Sequence, residues 1–98
     1  MNFDERCYEI LKKVPRGKVT TYQEIAKALK SKAYRAVGNA MNKNPYAPQV
    51  PCHRVVKSDG SIGGFASGPK NKIFMLRKEG IEVVNGKIDL EKHLYKFK

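Results

Sequence analysis

Ninety-eight residues suffice for one small domain with a single modest core and exclude a second. Twenty Lys and Arg against nine Asp and Glu give a formal charge of +11, which points to a polyanionic partner or an unusually well-solvated surface. Two cysteines, Cys7 and Cys52, with no signal sequence and no long apolar run, exclude a disulfide scaffold and lead us to expect a soluble, intracellular, cytoplasmic chain with reduced thiols.

Phe3 to Lys13 predicts a first helix, with Cys7, Ile10, Leu11 and Val14 at helical spacing on one face. Cys7 on that stripe is expected to be inert packing. Pro15-Arg16-Gly17-Lys18 breaks the helix, and Val19 leads into Thr21-Tyr22-Gln23-Glu24. That spacing fits a capping box, in which Thr21 accepts from the backbone and Glu24 reaches back. A second helix should start there with Ile25, Ala26 and Leu29 inward, ending near Lys30, where Ser31 can cap the next.

In the third helix Ala33, Ala36, Val37, Ala40 and Met41 share one face, which turns Arg35, Asn39 and Asn42 outward. Two short helices joined by a tight turn, the second with small residues inside and Arg and Asn outside, describe a helix-turn-helix. A plain helical pair in a core has the same pattern. The charge distribution favours nucleic acid: no acid lies between Glu24 and Asp59, whereas Lys27, Lys30, Lys32, Arg35, Lys43, Arg54 and Lys57 all do. The basic segment from Lys92 to Lys98 fits a generally lysine-rich protein equally well.

Asn44-Pro45 follows, and then Pro48 and Pro51, flanking Gln49-Val50, lead to Cys52-His53-Arg54. A cysteine is a good nucleophile only as the thiolate, so it needs a base or a positive neighbourhood. His53 and Arg54 offer both, and the prolines restrict the direction in which the thiol is presented. Val55-Val56 reads as a short strand, Lys57-Ser58-Asp59-Gly60 as a turn and Ser61-Ile62 as its hairpin partner, together a small wing.

Gly63 to Gly68 reads as a flexible loop carrying one large ring, Phe65, and it lacks the Lys-Ser/Thr of a nucleotide P-loop. Pro69 should start a helix through Lys78, with Ile73, Phe74 and Leu76 available for the core and Glu79-Gly80 at its end. A glutamate at a helix C-terminus opposes the dipole, a mild cost that draws attention to Glu79. Ile81 to Val84 and Lys87 to Leu90 about Asn85-Gly86 predict a terminal hairpin, and His93 in the tail beyond is expected to be solvated or packing. The expected fold class is mostly α with small β: a winged helix-turn-helix DNA-binding domain with short hairpins.

Pro51-Cys52-His53-Arg54-Val55 resembles the active-site motif of the O6-alkylguanine-DNA alkyltransferases, suicide repair proteins that move an alkyl group from a damaged guanine onto their own cysteine. Tyr22-Gln23, Arg35-Ala36-Val37-Gly38, Asn44-Pro45 and Leu76 to Gly80 are similar to the same pattern in order and spacing, so the resemblance runs from about Val14 to Gly80. It implies one catalytic and DNA-binding domain over 1–98, with the helix-turn-helix at about 21–43, the active-site loop at 48–56, and the wing and pocket loop at 57–68. The additional N-terminal domain of many members is expected to be absent.

The resemblance also implies roles. A base inside a duplex is unreachable, so it must be extruded. Arg35 would insert into the stack from the minor groove, while Tyr22 crowds the neighbouring phosphate and helps rotate the nucleotide out; Asn39, Asn42 and Lys43 would line the DNA side. Glu79 would orient His53, His53 would take the Cys52 proton through a water, and Tyr22 would donate to the departing guanine. Asn44 would tie the helix-turn-helix to the Cys52 loop, and Val55 would offer backbone contacts to the base. Phe65, Ala66 and Ser67 would wall the pocket. Phe65 departs from the family's tyrosine, keeping stacking area and losing a hydroxyl. A stable thioether means one turnover, with neither cofactor nor metal. The implied partner is double-stranded DNA carrying O6-alkylguanine, with O4-alkylthymine as a second lesion, met by a monomer away from membranes.

Three other readings compete. A non-catalytic alkyltransferase-like lesion sensor lacks the acceptor cysteine, which is present here. A winged-helix regulator leaves Cys52-His53-Arg54 and Glu79 without a purpose. A Cys-His hydrolase would need an oxyanion hole and an orienting partner that the sequence does not identify.

Overall fold

The computed structural model describes residues 1–46, 49–63 and 69–97. The chain begins with helix α1 (Phe3–Leu11), whose start is fixed by a capping box: Asn2 Oδ1 accepts from the Glu5 N–H at 2.8 Å and the Glu5 carboxylate accepts from the Asn2 N–H at 3.2 Å. The helix ends at Leu11, short of the expected Lys13, because the N–H groups of Lys13 and Val14 turn to the nearer carbonyls of Ile10 and Leu11. Cys7, Leu11 and Val14 are buried as their spacing requires, and Ile10 is half-buried.

Strand β1 (Thr20–Thr21) runs directly into helix α2 (Tyr22–Ala28). Thr21 Oγ1 accepts from the Glu24 N–H at 3.0 Å, so the first half of the expected capping box forms. Helix α3 (Tyr34–Lys43) starts two residues later than Ser31 would set it, with Ala33 in the cap position. Lys30 adopts a left-handed conformation (φ 56°), and Ser31 Oγ accepts from the Ala33 N–H at 3.0 Å, closing a turn instead of capping a helix. Ala33 therefore lies outside α3 and is exposed, while Val37, Ala40 and Met41 form the buried face and Arg35, Asn39 and Asn42 point outward.

After α3 come a single 3-10 turn (Cys52–Arg54) and strand β2 (Val55–Val56). The expected hairpin between Val55-Val56 and Ser61-Ile62 is not formed. β2 pairs in parallel with β1, Thr20 opposite Val55 and Thr21 opposite Val56. The turn at 57–60 does close, with Lys57 N–H to Ser61 O at 2.9 Å, but Ser61 then bridges Lys87 and Ile62 N–H donates to Gly86 O. Two helices fill the crossover that a parallel pair demands. Alternation along β2 sends Val55 into the core of α1, α2 and α3, and Val56 into a second cluster with Val19, Ile62, Leu76, Ile81, Val83 and Ile88.

Helix α4 (Pro69–Lys78) has its expected bounds. Leu76 is buried on it, but Phe74, expected in the core, is 63% exposed, and the fully buried long side chain is Lys72. The terminal hairpin reduces to one bridge between Val84 and Lys87 around Asn85-Gly86, whose φ angles of 53° and 73° suit a tight turn. Leu90 belongs instead to helix α5 (Leu90–His93), because the Asp89 side chain caps it by accepting from the Glu91 N–H. The tail then pairs with Val19 through Val19 N–H to His93 O and Tyr95 N–H to Val19 O, and His93 packs at 8% exposure against Gly17.

Candidate active site

The 3-10 turn puts Cys52 at the margin of the helical core, 7% exposed, with its N–H donating to Val50 O at 2.9 Å. Pro51 is buried ahead of it, and Arg54 N–H closes the turn on Pro51 O. Asn44, at the end of α3, braces this loop: its Nδ2 donates to Val50 O at 2.8 Å and its Oδ1 accepts from the Tyr46 N–H at 2.9 Å. The α3 helix and the cysteine loop are therefore joined through one amide two residues from Cys52.

Glu79, at the end of α4, meets the residues that follow Cys52. Its Oε2 lies 2.8 Å from His53 Nε2, while Arg54 donates through Nε at 2.9 Å and through its terminal amine at 2.7 Å. Arg54 also donates to Val14 O at 2.9 Å. Its charge is thus engaged by Glu79 rather than by the thiol. Burial would raise the Glu79 carboxyl, but the Arg54 and His53 hydrogen bonds outweigh it and hold the group down at about 2.

His53 is 3% exposed, and its imidazole is shifted below the ordinary histidine value. Burial is the main cause; Glu79 opposes it, while Arg54 and Lys72 add to it. The His53–Glu79 contact has the distance of a salt bridge, yet the downward shift describes a neutral ring, and we favour the neutral form because a desolvated imidazolium beside two cations is the costlier state. An ionised carboxylate can only accept, so Nε2 carries the hydrogen and Nδ1 keeps its lone pair. The trio therefore presents a neutral base of defined tautomer next to a cysteine.

Tyr22, the first residue of α2, is half-buried, and its hydroxyl is raised by burial and then by the negative charge that Cys52 can carry. A Cβ on Gly63 would sit 3.5 Å from the Tyr22 hydroxyl, and Gly63 has φ 73°, so this approach suits a residue without a side chain. Cys7 is buried in the α1 stripe, and its thiol is pushed up to about 11, mainly by desolvation. Both cysteines are free.

Lys72 was not singled out by the sequence. Its Nζ donates to Val55 O at 2.6 Å from a fully buried position, and burial lowers its ammonium to about 8, with Cys52 close enough for opposite charge to pull it back up. The available signal was periodicity, since Lys72, Leu76 and Glu79 fall on one helical face. Lys43 shares its charge with Asp4 across 2.8 Å, whereas Arg35, Asn39 and Asn42 lie on the exposed side of α3. Val55 is buried with its carbonyl turned to Lys72. Phe65, Ala66 and Ser67, expected to wall the pocket, lie outside the described residues, as does Pro48. Among the described residues no cluster of three His, Cys, Asp or Glu could hold a metal, and no helix is long and apolar enough to cross a membrane.

Residues 2–81 match the family model described as 6-O-methylguanine DNA methyltransferase, DNA binding domain. A bifunctional methyltransferase/endonuclease of Picrophilus torridus is 44% identical over 89 residues, 90% of this chain and 30% of that protein. A methylated-DNA–protein-cysteine methyltransferase of Thermococcus kodakarensis is 52% identical over 81 residues, 82% of this chain and 45% of that protein. The chain spans less than half the length of these two curated relatives. Among solved structures, S. pombe Atl1 in complex with damaged DNA containing O6-carboxymethylguanine superposes with a TM-score of 0.86 at 31% identity, covering 99% of this chain and 100% of that one.

Proposed function

The chain belongs to the 6-O-methylguanine DNA methyltransferase DNA-binding-domain family, and from that premise we propose that it binds duplex DNA carrying O6-alkylguanine and moves the alkyl group irreversibly onto Sγ of Cys52. The observation that carries this reading is the Glu79–His53 contact at 2.8 Å beside the cysteine, which fixes the orientation and tautomer of a ring kept neutral by its burial, so that Nδ1 can accept a proton. Catalysis then needs little else from the protein. The Cys52 thiol gives its proton to His53 through a bridging water, and the thiolate attacks the alkyl carbon. The carbon–O6 bond breaks with its electron pair going to guanine, which takes a proton from Tyr22. Tyr22 stays protonated until that moment, because burial and a thiolate neighbour both hold its hydroxyl up. The step leaves His53 as imidazolium and Tyr22 as phenolate. Return of the proton from His53 to Tyr22 through solvent restores both, so that overall the proton lost by the thiol is the one gained by guanine. Since a thioether is not hydrolysed, each molecule acts once.

Access to the base falls to the exposed face of α3. Arg35, flanked along the helix by Asn39 and Asn42, can follow the minor groove and fill the gap left by the extruded nucleotide, offsetting an unstacking cost of a few kcal/mol. Asn44 carries the position of that helix to the Cys52 loop. The likeness to Atl1 along the full length of both chains also favours a second reading, lesion binding without transfer. The two readings separate when DNA bearing O6-methylguanine is digested to nucleosides after incubation. Transfer converts the lesion to guanine in proportion to protein, and Cys52→Ala abolishes the conversion while retaining binding. Retention of the lesion by the unaltered protein would establish the sensor instead.

A further inference from the structure

At the start of α2 lies a cleft of about 520 Å³ lined by Tyr22, Gln23, Tyr34, Lys57, Ser58 and Asp59. It separates the start of α2 and α3 from the turn at 57–60. We propose that this cleft receives the sugar–phosphate backbone of the damaged strand next to the extruded nucleotide, with Lys57 facing a phosphate and the Tyr34 ring lying on a deoxyribose. The proposal rests on the DNA-repair reading above and adds two positioning residues to it.

Tyr34 is 45% exposed, so its ring is not holding the core together. It directly precedes Arg35, and successive helical residues diverge by about 100°, so the two side chains address different parts of one bound duplex. The lining suits a phosphodiester. Tyr22, Tyr34 and Ser58 offer hydroxyls, Gln23 an amide and Lys57 an ammonium, all of which can donate to phosphate oxygen. The one acid, Asp59, is drawn into its own turn, since both the N–H and the Oγ of Ser61 donate to its Oδ1, at 2.9 and 2.6 Å. No other acid occurs in sequence from Ile25 to Ser58. Tyr22 connects the cleft to the cysteine: it lines the cleft, and its hydroxyl feels the charge of Cys52. A strand with one nucleotide lying over Cys52 must continue past Tyr22, and this cleft is where it emerges.

The test is a coupling measurement on duplexes with one O6-methylguanine and a methylphosphonate replacing either flanking phosphate. Tyr34→Ala should weaken binding about tenfold, the size of one lost aromatic contact, with Tyr34→Phe retaining most of the affinity. Lys57→Ala should lower the slope of log Kd against log salt by about one. At one of the two flanking positions the neutral linkage should weaken the unaltered protein and have no further effect on Lys57→Ala. A structural role for Lys57 would not produce that coupling. Unchanged binding by Tyr34→Ala, or additive effects of Lys57→Ala and both linkages, would overturn the proposal even if methyl transfer proceeds. The coupling without any transfer to Cys52 would leave the cleft in place and remove the transfer reading.

Discussion

Replacing Glu79 with Gln exchanges one carboxylate oxygen for an amide and withdraws the charge that three short contacts share, from His53 Nε2, Arg54 Nε and the Arg54 terminal amine. The magnitude follows from the titration. The carboxyl falls from 4.5 to about 2, in a side chain only 9% exposed. At about 1.4 kcal/mol per unit, the ionised form supplies roughly 3 kcal/mol of stability at neutral pH. A depressed folded-state carboxyl contributes fully above 4.5 and loses its contribution as pH falls toward 2. Glu79→Gln should therefore unfold about 3 kcal/mol more easily at pH 7, the cost expected for breaking one side of a buried pair, with the gap closing as the pH drops. Urea unfolding of both proteins at steps from neutral to strongly acid pH measures this directly. A gap that stays constant with pH, or stays under about 1 kcal/mol at pH 7, would refute the reasoning. The same change should slow methyl transfer by about a hundredfold or more, the share usually supplied by a positioned base.

Asn44→Ala leaves the Val50 carbonyl without its donor and should cost about 1–3 kcal/mol in denaturant unfolding, while slowing transfer more than it weakens binding to undamaged duplex. Gly60→Ala should destabilise by about 1–3 kcal/mol in thermal unfolding, because φ there is 90° and the new Cβ would meet Ile88 O at 2.7 Å. Lys72, lowered from 10.5 to about 8, opposes folding below pH 8 and ceases to do so as pH rises from 8 to 10.5. The unaltered protein should accordingly gain stability relative to Lys72→Met across that interval, and parallel pH curves would contradict it.

The helical faces were legible because they are local: Cys7, Leu11 and Val14 on α1 and Val37, Ala40 and Met41 on α3 follow from spacing alone. Thr21 was readable as a cap for the same reason. The resemblance pointed to Cys52, His53 and Glu79 together; the side chains of His53 and Glu79 do meet although they are far apart in sequence, and Cys52 precedes His53 in the same 3-10 turn. What the chain hid was pairing between distant segments. Asp59-Gly60 carries a strong local hairpin signal, and it does form a turn, but β2 joins β1 instead because that places Val55 and Val56 in separate cores. A parallel partner across two helices leaves no mark in local periodicity. Phe74 leaves the core side of α4 expected for it, and Lys72, for which the sequence suggested no role, is buried instead, because a lysine can be buried where its ammonium finds a carbonyl, here that of Val55.

The central claim, that Cys52 is the final owner of the alkyl group, is tested most directly by the intact mass of the protein after incubation with excess duplex containing O6-methylguanine. We predict a gain of one methylene per molecule and no more, located by peptide mapping on Cys52 and absent from Cys52→Ala. A protein that holds the lesion duplex and keeps its original mass would contradict the account.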